Sequence, residues 1–466
     1  MKRSRVVVLN PPNVPFTDDA LLIEPIDVLT VATWISSLGY QVELRDLDKE
    51  KCLAASYAKE LDRALVDVVV IPFDYHIPLY TAAAAQETIA LIAACRDREI
   101  PVVVGGRPAT RYPELFLQSG DVVVILGEME LALQELLPLL ISGESVLEVD
   151  GIAVLVNNSV VRTNRRRNVL DLNSLPIPDR SMLDIHSYID VHSMLSSRGC
   201  VEQCSFCPVH TFWGRWRRRS AELVAREIEY LVKDCKAEKI LFLDDHATAN
   251  QRRMREISDL LIAQGVKVPL GCLGTAASAE KETLYHMRKA GFNWIHYGVE
   301  FGDDQVLRRL NKRSTVNTMR NAIEMTREVG IRVRASVILD SPGATEEGLS
   351  ATHDLLLETE PEEVRAHFLT LRACAPLDDE LRPNASGIAE QYIHSDRPHT
   401  CGHDVDPHMV TRWSDRIAES LQKRGYLKVV NPIDWEGVAT ASKLERNVKF
   451  ISYCPGRYGL GWREAA

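Results

Sequence analysis

Two series of short apolar runs, each separated by helix-length amphipathic segments, constrain the fold of this 466-residue chain more than any other feature. The first series is rich in Val and Ile without polar alternation, which is typical of strands buried on both faces. Helix-length crossovers require neighbouring strands to be parallel. We therefore predict a doubly wound parallel α/β domain over residues 1–145. Its predicted strands are Arg5–Asn10, Gln41–Asp46, Asp67–Pro72, Pro101–Gly105 and Asp121–Leu126, and its predicted helices are Ile26–Gly39, Lys51–Ala64, Tyr80–Asp97 and Glu128–Leu140.

A hairpin and a linker are predicted over residues 146–187. Asn157-Asn158 lies between two apolar runs, a pattern that favours a β-hairpin over Gly151–Thr163. The polar segment that follows is interrupted by prolines, and we interpret it as the connection between domains.

A second β/α series begins near residue 188 and predicts a partial, curved (β/α)6 barrel over residues 188–375. The rhythm then stops, which leaves residues 376–466 as a mixed C-terminal extension. The predicted barrel strands are Val191–Leu195, Lys239–Leu243, Val266–Cys272, Trp294–Val299, Arg332–Leu339 and His367–Arg372, with helices such as Ala221–Asp234, Arg252–Gln264 and Val316–Val329 between them.

Composition and charge narrow the function classes. The formal net charge is −10 at pH 7, which argues against a nucleic-acid binder because phosphate contacts need a basic face. The longest apolar runs are strand-sized, far short of the roughly 20 residues that a bilayer requires. No signal-peptide core is visible, so we expect a cytoplasmic protein whose ten cysteines are reduced.

A tight cysteine motif follows the first predicted barrel strand. Cys200, Cys204 and Cys207 lie within eight residues, after a glycine. Three such thiolates can hold three irons of a cubane cluster and leave the fourth iron without a protein ligand. The competing interpretations are three reduced structural cysteines, or a zinc site for which His210 is available as a fourth ligand.

The motif, with Phe206 just before its last cysteine, resembles that of the radical S-adenosylmethionine (SAM) superfamily. The resemblance implies a [4Fe–4S] cluster and SAM as cofactors, together with a flavodoxin- or ferredoxin-type electron donor. It also implies reductive cleavage of SAM to a 5′-deoxyadenosyl radical, which abstracts hydrogen from an unactivated carbon of a small molecule.

Later strand ends fit the same resemblance and supply further cofactor contacts. Asp244 and Asp245 end the second strand, where the family contacts the amino group of SAM, with solvated loop acids as the alternative. Glu300 ends the fourth strand and is expected to approach the ribose. Asp340 and Ser341 lie in the turn expected to pack on adenine. Asp340 also marks a departure, since relatives usually carry Gly there, and no Arg follows the third strand to bind the SAM carboxylate.

The N-terminal domain resembles the cobalamin-binding domain of one large branch of this superfamily. Gly105-Gly106 at a predicted strand end is one of the segments that the branch shares, and His76 lies at another strand end. The resemblance implies that these residues contact cobalamin, although an ordinary loop histidine remains the alternative for His76. The Asp-x-His-x-x-Gly motif that ligates cobalt in base-off enzymes is absent, so cobalamin binding stays open.

Two reactions and one non-catalytic role remain open at this point. The favoured reaction is radical dehydration of an amino sugar or polyol, as in aminoglycoside antibiotic biosynthesis, with product passed to an NAD(P)H reductase. The alternative is cobalamin-dependent C-methylation. A redox or iron sensor is disfavoured because no helix-turn-helix in a basic domain is visible.

The C-terminal portion supplies candidate substrate groups. Asp378, Asp379 and Glu380 follow the sixth strand and are predicted to bind ammonium groups of the substrate, with helix capping as the alternative. His403 and His408 are candidate acid–base residues. Their segment is more typical of an ordered loop closing the active site than of a second metal site.

Overall fold

The computed structural model describes residues 4–13, 22–61, 66–75, 82–118, 121–167, 169–188, 191–367, 369, 371–381, 405–430 and 449–453. They form two compact units, which divide after Tyr188. None of the helices in these residues is long and apolar enough to cross a membrane.

The first unit is a seven-stranded sheet of order β2-β1-β3-β4-β5-β6-β7. The first five strands are parallel, as predicted, and β6 and β7 add an antiparallel edge. The strands are β1 (Arg5–Asn10), β2 (Gln41–Asp46), β3 (Val68–Pro72), β4 (Val102–Gly105), β5 (Val122–Ile125), β6 (Ile152–Val156) and β7 (Ser159–Arg162); the helices are α1 (Ile26–Ser37), α2 (Ala54–Leu61), α3 (Ala82–Arg96), α4 (Arg107–Arg111), α5 (Pro113–Leu117) and α6 (Met129–Ser142).

The strand order reverses between β1 and β3, and ligands of doubly wound sheets bind at such a switch point. The predicted strand positions are accurate because β1, β3, β4 and β5 are almost wholly buried, so their apolar runs coincide with the strands. The predicted hairpin also forms. Asn157 and Asn158 both adopt positive φ, which a two-residue turn of this hand requires.

The segment predicted as a linker packs against the first unit. Leu170, Leu172 and Leu175 form a small core with Trp34. Tyr188 donates a hydrogen bond of 2.7 Å to Asp46 at the carboxyl end of β2. These contacts bury apolar residues that the proline-rich pattern had disguised, so the hairpin and the segment are part of the first unit and not a free connection.

The second unit is built on an eight-stranded parallel sheet of order β16-β17-β15-β14-β13-β12-β11-β8. Six of its described helices begin at side-chain N-caps, namely Ser220, Asn250, Asp303, Thr315, Thr345 and Asp406. The strands are β8 (His192–Met194), β9 (Ser197–Arg198), β10 (Arg217–Arg218), β11 (Ile240–Phe242), β12 (Leu270–Gly274), β13 (Phe292–Glu300), β14 (Arg332–Ile338), β15 (Glu363–His367), β16 (Tyr426–Val430) and β17 (Lys449–Tyr453), of which β9 and β10 form a separate pair. The helices are α7 (Val209–Trp213), α8 (Ala221–Lys233), α9 (Gln251–Ala263), α10 (Lys281–Ala290), α11 (Asp304–Arg309), α12 (Val316–Glu328), α13 (Glu346–Thr359), α14 (Pro376–Leu381) and α15 (Pro407–Lys423).

The sixth barrel strand is β15, and the predicted position His367–Arg372 is wrong by about one strand length. The strand carries charges that a pattern search rejects, but Glu363 accepts hydrogen bonds from Arg334 at 2.5 Å and from Arg365 at 2.9 Å. Paired in this way, the charges are tolerated inside. The apolar run after β15 packs instead beside the barrel, where Leu369 and Leu371 contact Ile338 and Leu377.

Gly106, the residue after β4, tests how closely two strand ends must approach. Its φ is +125°, and a Cβ there would lie 1.8 Å from the carbonyl oxygen of Phe73. We expect Gly106→Ala to lower the free energy of unfolding by about 3 kcal/mol, from left-handed strain plus a backbone clash. Urea denaturation followed by circular dichroism measures it.

Gly39→Ala is the matched control. Gly39 also has positive φ, +97°, but a Cβ there meets nothing within 4 Å. Gly39→Ala should lower the free energy of unfolding by only about 1 kcal/mol. Equal losses in the two variants would show that the close approach at Phe73 does not matter.

Candidate functional site

The cysteine loop leaves β8 and β9 and is held from behind by Asp244. The Asp244 carboxylate is fully buried and accepts hydrogen bonds from Ser196 N at 3.2 Å and from Ser196 Oγ at 2.9 Å. Ser197 Oγ donates a further hydrogen bond to it. Burial raises the pKa of Asp244, whereas these donors act in the opposite direction. Asp244 thus anchors the start of the loop and lies outside the lining of the cavity that the loop faces.

Asp245 supports the next residue of the loop. Its Oδ2 accepts a hydrogen bond of 3.3 Å from the backbone N–H of Gly199. Gly199 has a φ of +86°, and a Cβ there would lie 3.1 Å from the carbonyl oxygen of Arg215. The glycine before the first cysteine is therefore required by the turn and by the close approach of the β10 side.

A cavity of about 390 Å³ opens over the loop, and six predicted site residues line it. They are the three cysteines Cys200, Cys204 and Cys207 together with Phe206, Asp245 and Glu300. The tertiary structure thus brings the second and fourth strand ends to the thiols, as predicted for the carboxyl edge of a barrel.

The donor set suits a polynuclear cluster better than a single zinc ion. Among the described residues, no three His, Cys, Asp or Glu side chains converge on a point that could hold one metal ion. His210, the ligand considered for zinc, lies on α7 and does not line the cavity. Three thiols that line one cavity match a cubane, in which each binds a different iron.

Burial of the thiols sets the chemistry of loading. Desolvation raises the pKa of Cys200 and of Cys204 to about 12, so both are protonated at neutral pH in the free protein. Metal ligands must be thiolates. Loading therefore releases protons and is favoured by rising pH.

Lys312 is a cavity cation that sequence reasoning missed. It is only 9% exposed, and its Nζ donates a hydrogen bond of 2.9 Å to Glu300 Oε1. Burial acts to lower the pKa of Lys312, but Glu300 and the nearby Cys204 outweigh it and raise the pKa above its usual value. Little in the sequence indicated that Lys312 would line the cavity, because its ammonium reaches the cavity from the turn after α11 and not from a strand end.

Glu202, inside the cysteine motif, also lines this cavity. It is 6% exposed, and its Oε2 has no hydrogen-bond partner among the described residues. A buried carboxylate oxygen without a donor is costly unless a ligand satisfies it. Together with Asp245 and Lys312, it gives the cavity wall both acidic groups and an ammonium, which suits a zwitterionic ligand.

Two histidines near the cavity were also missed. His246, one residue after Asp245, lies 3.4 Å from Cys200 Sγ through its Nδ1, and burial lowers its pKa to about 4. His296 lines the cavity and pairs with Ser336 at 2.6 Å. Strand parity could have found His296, because it lies two and four residues before the cavity residues Gly298 and Glu300.

Asp340 and Ser341, predicted to contact adenine, lie behind the cavity wall. Asp340 Oδ1 accepts a hydrogen bond of 2.6 Å from the N–H of Leu369, which lines the cavity. Ser341 Oγ donates to the carbonyl of Ile338 at 2.8 Å. Their contacts with a cofactor stay a prediction, and their visible role is to fix the β14 turn.

The acidic residues after the sixth strand lie outside this cavity lining. Asp378 is fully buried in α14, whereas Asp379 and Glu380 are exposed. The N–H of Leu377, in the same helix, donates a hydrogen bond of 2.8 Å to Ser205 O in the cysteine loop. The binding of substrate ammonium groups by Asp378, Asp379 and Glu380 stays a prediction.

Of the two catalytic histidine candidates, only His408 is among the described residues, and it does not line the cavity. His408 is exposed in the first turn of α15, and its backbone N–H donates a hydrogen bond of 2.9 Å to Asp406 Oδ1. His403 lies outside the described residues, as does His76. Their predicted roles stay predictions.

In the first unit, the predicted ligand edge is compact at β4 and open at β5. Gly105 has no room for a Cβ, which would lie 2.7 Å from the Met129 side chain. Gly127, after β5, has a φ of +109° and nothing within 4 Å of a Cβ. Nearby, Tyr75 donates a hydrogen bond of 2.7 Å to the buried Glu130. Gly105 and Gly106 are thus required by packing within the first unit, and their contacts with cobalamin stay a prediction.

Asp340 gives a pH-dependent prediction. Burial raises its pKa from 3.8 to about 6, so the stability that it contributes is present below pH 3.8 and is lost as pH rises through about 6. We expect Asp340→Asn to gain stability relative to the parent as pH rises from about 4 to 8, by up to about 3 kcal/mol. Urea denaturation at several pH values measures this difference.

The conservative control is Asp415→Asn on α15, where the carboxylate is exposed. The difference in free energy of unfolding between this control variant and the parent should change little over the same pH range. A difference for Asp340→Asn that is independent of pH would show that the carboxyl is not held in a desolvated site.

Family models match both units. The Radical SAM superfamily model matches residues 194–356, and the B12 binding domain model matches residues 17–137. Among curated relatives, an uncharacterized methyltransferase of Pyrococcus horikoshii is 26% identical over 63% of this chain and 67% of its own length. The hopanoid C-3 methylase of Methylococcus capsulatus is 27% identical over 72% of this chain and 65% of its own length. An anaerobic magnesium-protoporphyrin IX monomethyl ester cyclase of Cereibacter sphaeroides is 29% identical over 64% of this chain, which spans about half of that relative.

Solved structures give the same fold at lower identity. The radical SAM methyltransferase TsrM of Kitasatospora setae, with cobalamin and a [4Fe–4S] cluster bound, has a TM-score of 0.70 at 18% identity, over 83% of this chain and 76% of that one. The cobalamin-dependent radical enzyme OxsB, with aqua-cobalamin and SAM bound, has a TM-score of 0.69 at 18% identity, over 91% of this chain and 62% of that one.

These comparisons bear on the predicted reaction and cofactors. The curated relatives named here are a methyltransferase, a methylase and a cyclase, so they favour methylation over the dehydration that sequence reasoning preferred, and nothing in them points to aminoglycosides. A radical SAM domain implies a [4Fe–4S] cluster and SAM, and the cavity lined by three cysteines fits both. The chain therefore carries a B12-binding domain followed by a radical SAM domain, and it shares its fold with radical SAM enzymes whose structures contain cobalamin.

Proposed function

We propose that this protein is a cobalamin-dependent radical SAM methyltransferase that places a methyl group on carbon of a small-molecule substrate. The observation that carries the proposal is the pairing of a B12-binding domain with a cavity lined by three cysteines. The methylases among its relatives support the same reaction. Dehydration is kept only as an outcome of the test.

The cysteine loop would hold the cluster through Cys200, Cys204 and Cys207. When bound, the cluster supplies the electron that cleaves SAM, and cobalamin supplies a transferable methyl group. A flavodoxin- or ferredoxin-type protein would deliver the electron. This chain's own contribution is to bind, orient and shield, since the cofactors carry the difficult chemistry.

The zwitterionic end of SAM has matching partners on the cavity wall. Lys312 offers a buried ammonium for the carboxylate of SAM. It would take the role of the arginine that is absent after the third strand. Glu202 and Asp245 offer carboxylates for the amino group. Because Lys312 and Glu202 are buried and Asp245 is half-buried, each charge-assisted contact counts for more than it would at the surface.

The remaining cavity wall suits the adenosyl part of SAM. Phe206 presents an aromatic ring that can pack on adenine, and Glu300 can accept hydrogen bonds from ribose hydroxyls. Glu300 has a φ of +63° at a register shift between β13 and β14. This irregularity turns its carboxylate toward Lys312, so one residue both contacts the cofactor and fixes the cation beside it.

Cobalamin would lie at the carboxyl edge of the first sheet, near Gly105 and Gly106. The proposed methyl transfer requires bound cobalamin, whereas dehydration does not require it. The presence of corrinoid therefore separates the two reactions.

Co-expression with cobalamin uptake and anaerobic purification tests the proposal. We expect stoichiometric corrinoid in the visible spectrum of the holoenzyme, and turnover with methyl-deuterated SAM should yield a product heavier by one labelled methyl group. A Cys200→Ala, Cys204→Ala and Cys207→Ala triple variant should keep corrinoid but lose turnover. A product lighter by one water, formed without corrinoid, would refute methylation and support dehydration.

Lys312→Met tests the carboxylate contact. Loss of a buried charge-assisted hydrogen bond should raise the Kd of the reconstituted enzyme for SAM about tenfold or more. Since Glu300 then lacks its partner, the Glu300→Gln, Lys312→Met double variant separates lost binding from a stranded charge. Isothermal titration calorimetry measures Kd, with iron content confirming the cluster.

Lys281→Met is the control, because Lys281 forms an exposed ion pair with Glu328 on the outer helices. Its Kd should match the parent. An unchanged Kd in the Lys312 variants with a full cluster would exclude Lys312 as the carboxylate partner.

A further inference from the structure

His246 lies directly behind the first cluster cysteine. The residue follows Asp245 at the end of β11 and is 1% exposed. Its Nδ1 is 3.4 Å from Cys200 Sγ, within hydrogen-bond range for sulfur. Neither the proposed cluster ligation nor the proposed SAM contacts use this side chain.

The imidazole is fixed from its other side. Nε2 faces two hydroxyls, Ser278 Oγ at 3.1 Å and Thr275 Oγ1 at 3.3 Å. Thr248 Oγ1 in turn contacts Ser278 Oγ at 2.7 Å. These residues come from the ends of β11 and β12, so two strand ends lock the ring in one orientation toward Cys200.

The chemistry of a cluster ligand determines which nitrogen carries the proton. A cysteine bound to iron is a thiolate, which accepts hydrogen bonds but cannot donate one. A favourable contact with it therefore needs N–H at Nδ1. Ser278 Oγ donates to the carbonyl of Thr275 at 2.8 Å, so the Thr275 hydroxyl is the one that can donate to the free Nε2. This tautomer therefore leaves neither ring nitrogen unsatisfied.

We propose that His246 is a positioning residue that donates a hydrogen bond from Nδ1 to Cys200 Sγ and thereby sets the reduction potential of the cluster. The inference rests on the proposed ligation by Cys200, but not on methyl transfer. A reduced cluster carries one more electron, part of whose charge lies on the sulfurs. The donor therefore stabilises the reduced state more than the oxidised state and raises the potential.

Among the described residues, the other donor to this sulfur is the backbone N–H of Glu202, at 3.4 Å. It belongs to the loop itself and persists in any side-chain variant. His246 is thus the donor that substitution can remove, and the neighbouring hydroxyls hold the ring so that little freedom is lost when the contact forms.

The test compares the midpoint potential of the reconstituted cluster in the full-length protein, by anaerobic redox titration followed by electron paramagnetic resonance. His246→Leu should shift the potential downward. At the parent's midpoint potential, the ratio of reduced to oxidised cluster should fall roughly three- to tenfold. His246→Asn, whose amide nitrogen lies near the position of Nδ1, should keep a potential close to that of the parent.

Iron content separates loss of the cluster from a shift in its potential. If the Leu variant holds no cluster, His246→Gln replaces it, because its amide extends toward the Nε2 side and leaves the sulfur without the donor. His210→Asn is the matched control, since His210 is near the loop in sequence but does not line the cavity. Its potential should not move.

An unchanged potential in a cluster-loaded Leu or Gln variant would overturn the inference, as would an Asn variant that shifts as far as Leu. Neither result would affect the proposed function, which depends on labelled methyl transfer. Conversely, a parent enzyme that forms no methylated product can still show the shift, so the two failures are distinguishable.

Discussion

The buried carboxylate of Asp244 is the contact on which the rest of the site depends. It is wholly removed from solvent, and two consecutive serines at the start of the cysteine loop donate to it. A desolvated carboxylate is stable only when such donors surround it, so the loop and the end of β11 hold each other in place. This anchor lets a short, glycine-containing loop present three thiols toward one cavity.

The cavity is polar for a reason that concerns stability as much as binding. Lys312 and Glu300 form a buried ion pair, and Glu202 adds a carboxylate oxygen without a partner in the described residues. Such groups cost free energy in the absence of a ligand. A zwitterionic cofactor would relieve that cost, which is why unsatisfied charge here indicates a binding site and not a poorly packed core.

Charge inside the barrel also explains where pattern reading failed. The apolar runs of the first sheet placed its strands within a residue or two, because four of them, β1, β3, β4 and β5, are buried on both faces. β15 was misplaced because Glu363 and Arg365 look like surface residues in the sequence. Only the pairing of Glu363 with Arg334 on the neighbouring strand makes them interior residues.

The sequence by itself determined the α/β architecture, the parallel sheets and the three cysteines with Phe206, since each depends on local periodicity or on spacing within one loop. The tertiary structure decided which distant groups share the cavity. Lys312 and His296 join it from separate strands and turns, whereas Asp340 and Asp244, both predicted as cofactor contacts, lie behind its wall. The physical reason is that strand curvature, a register shift at Glu300 and competing hydrogen bonds set the direction of each side chain, and none of these is encoded by spacing along the chain.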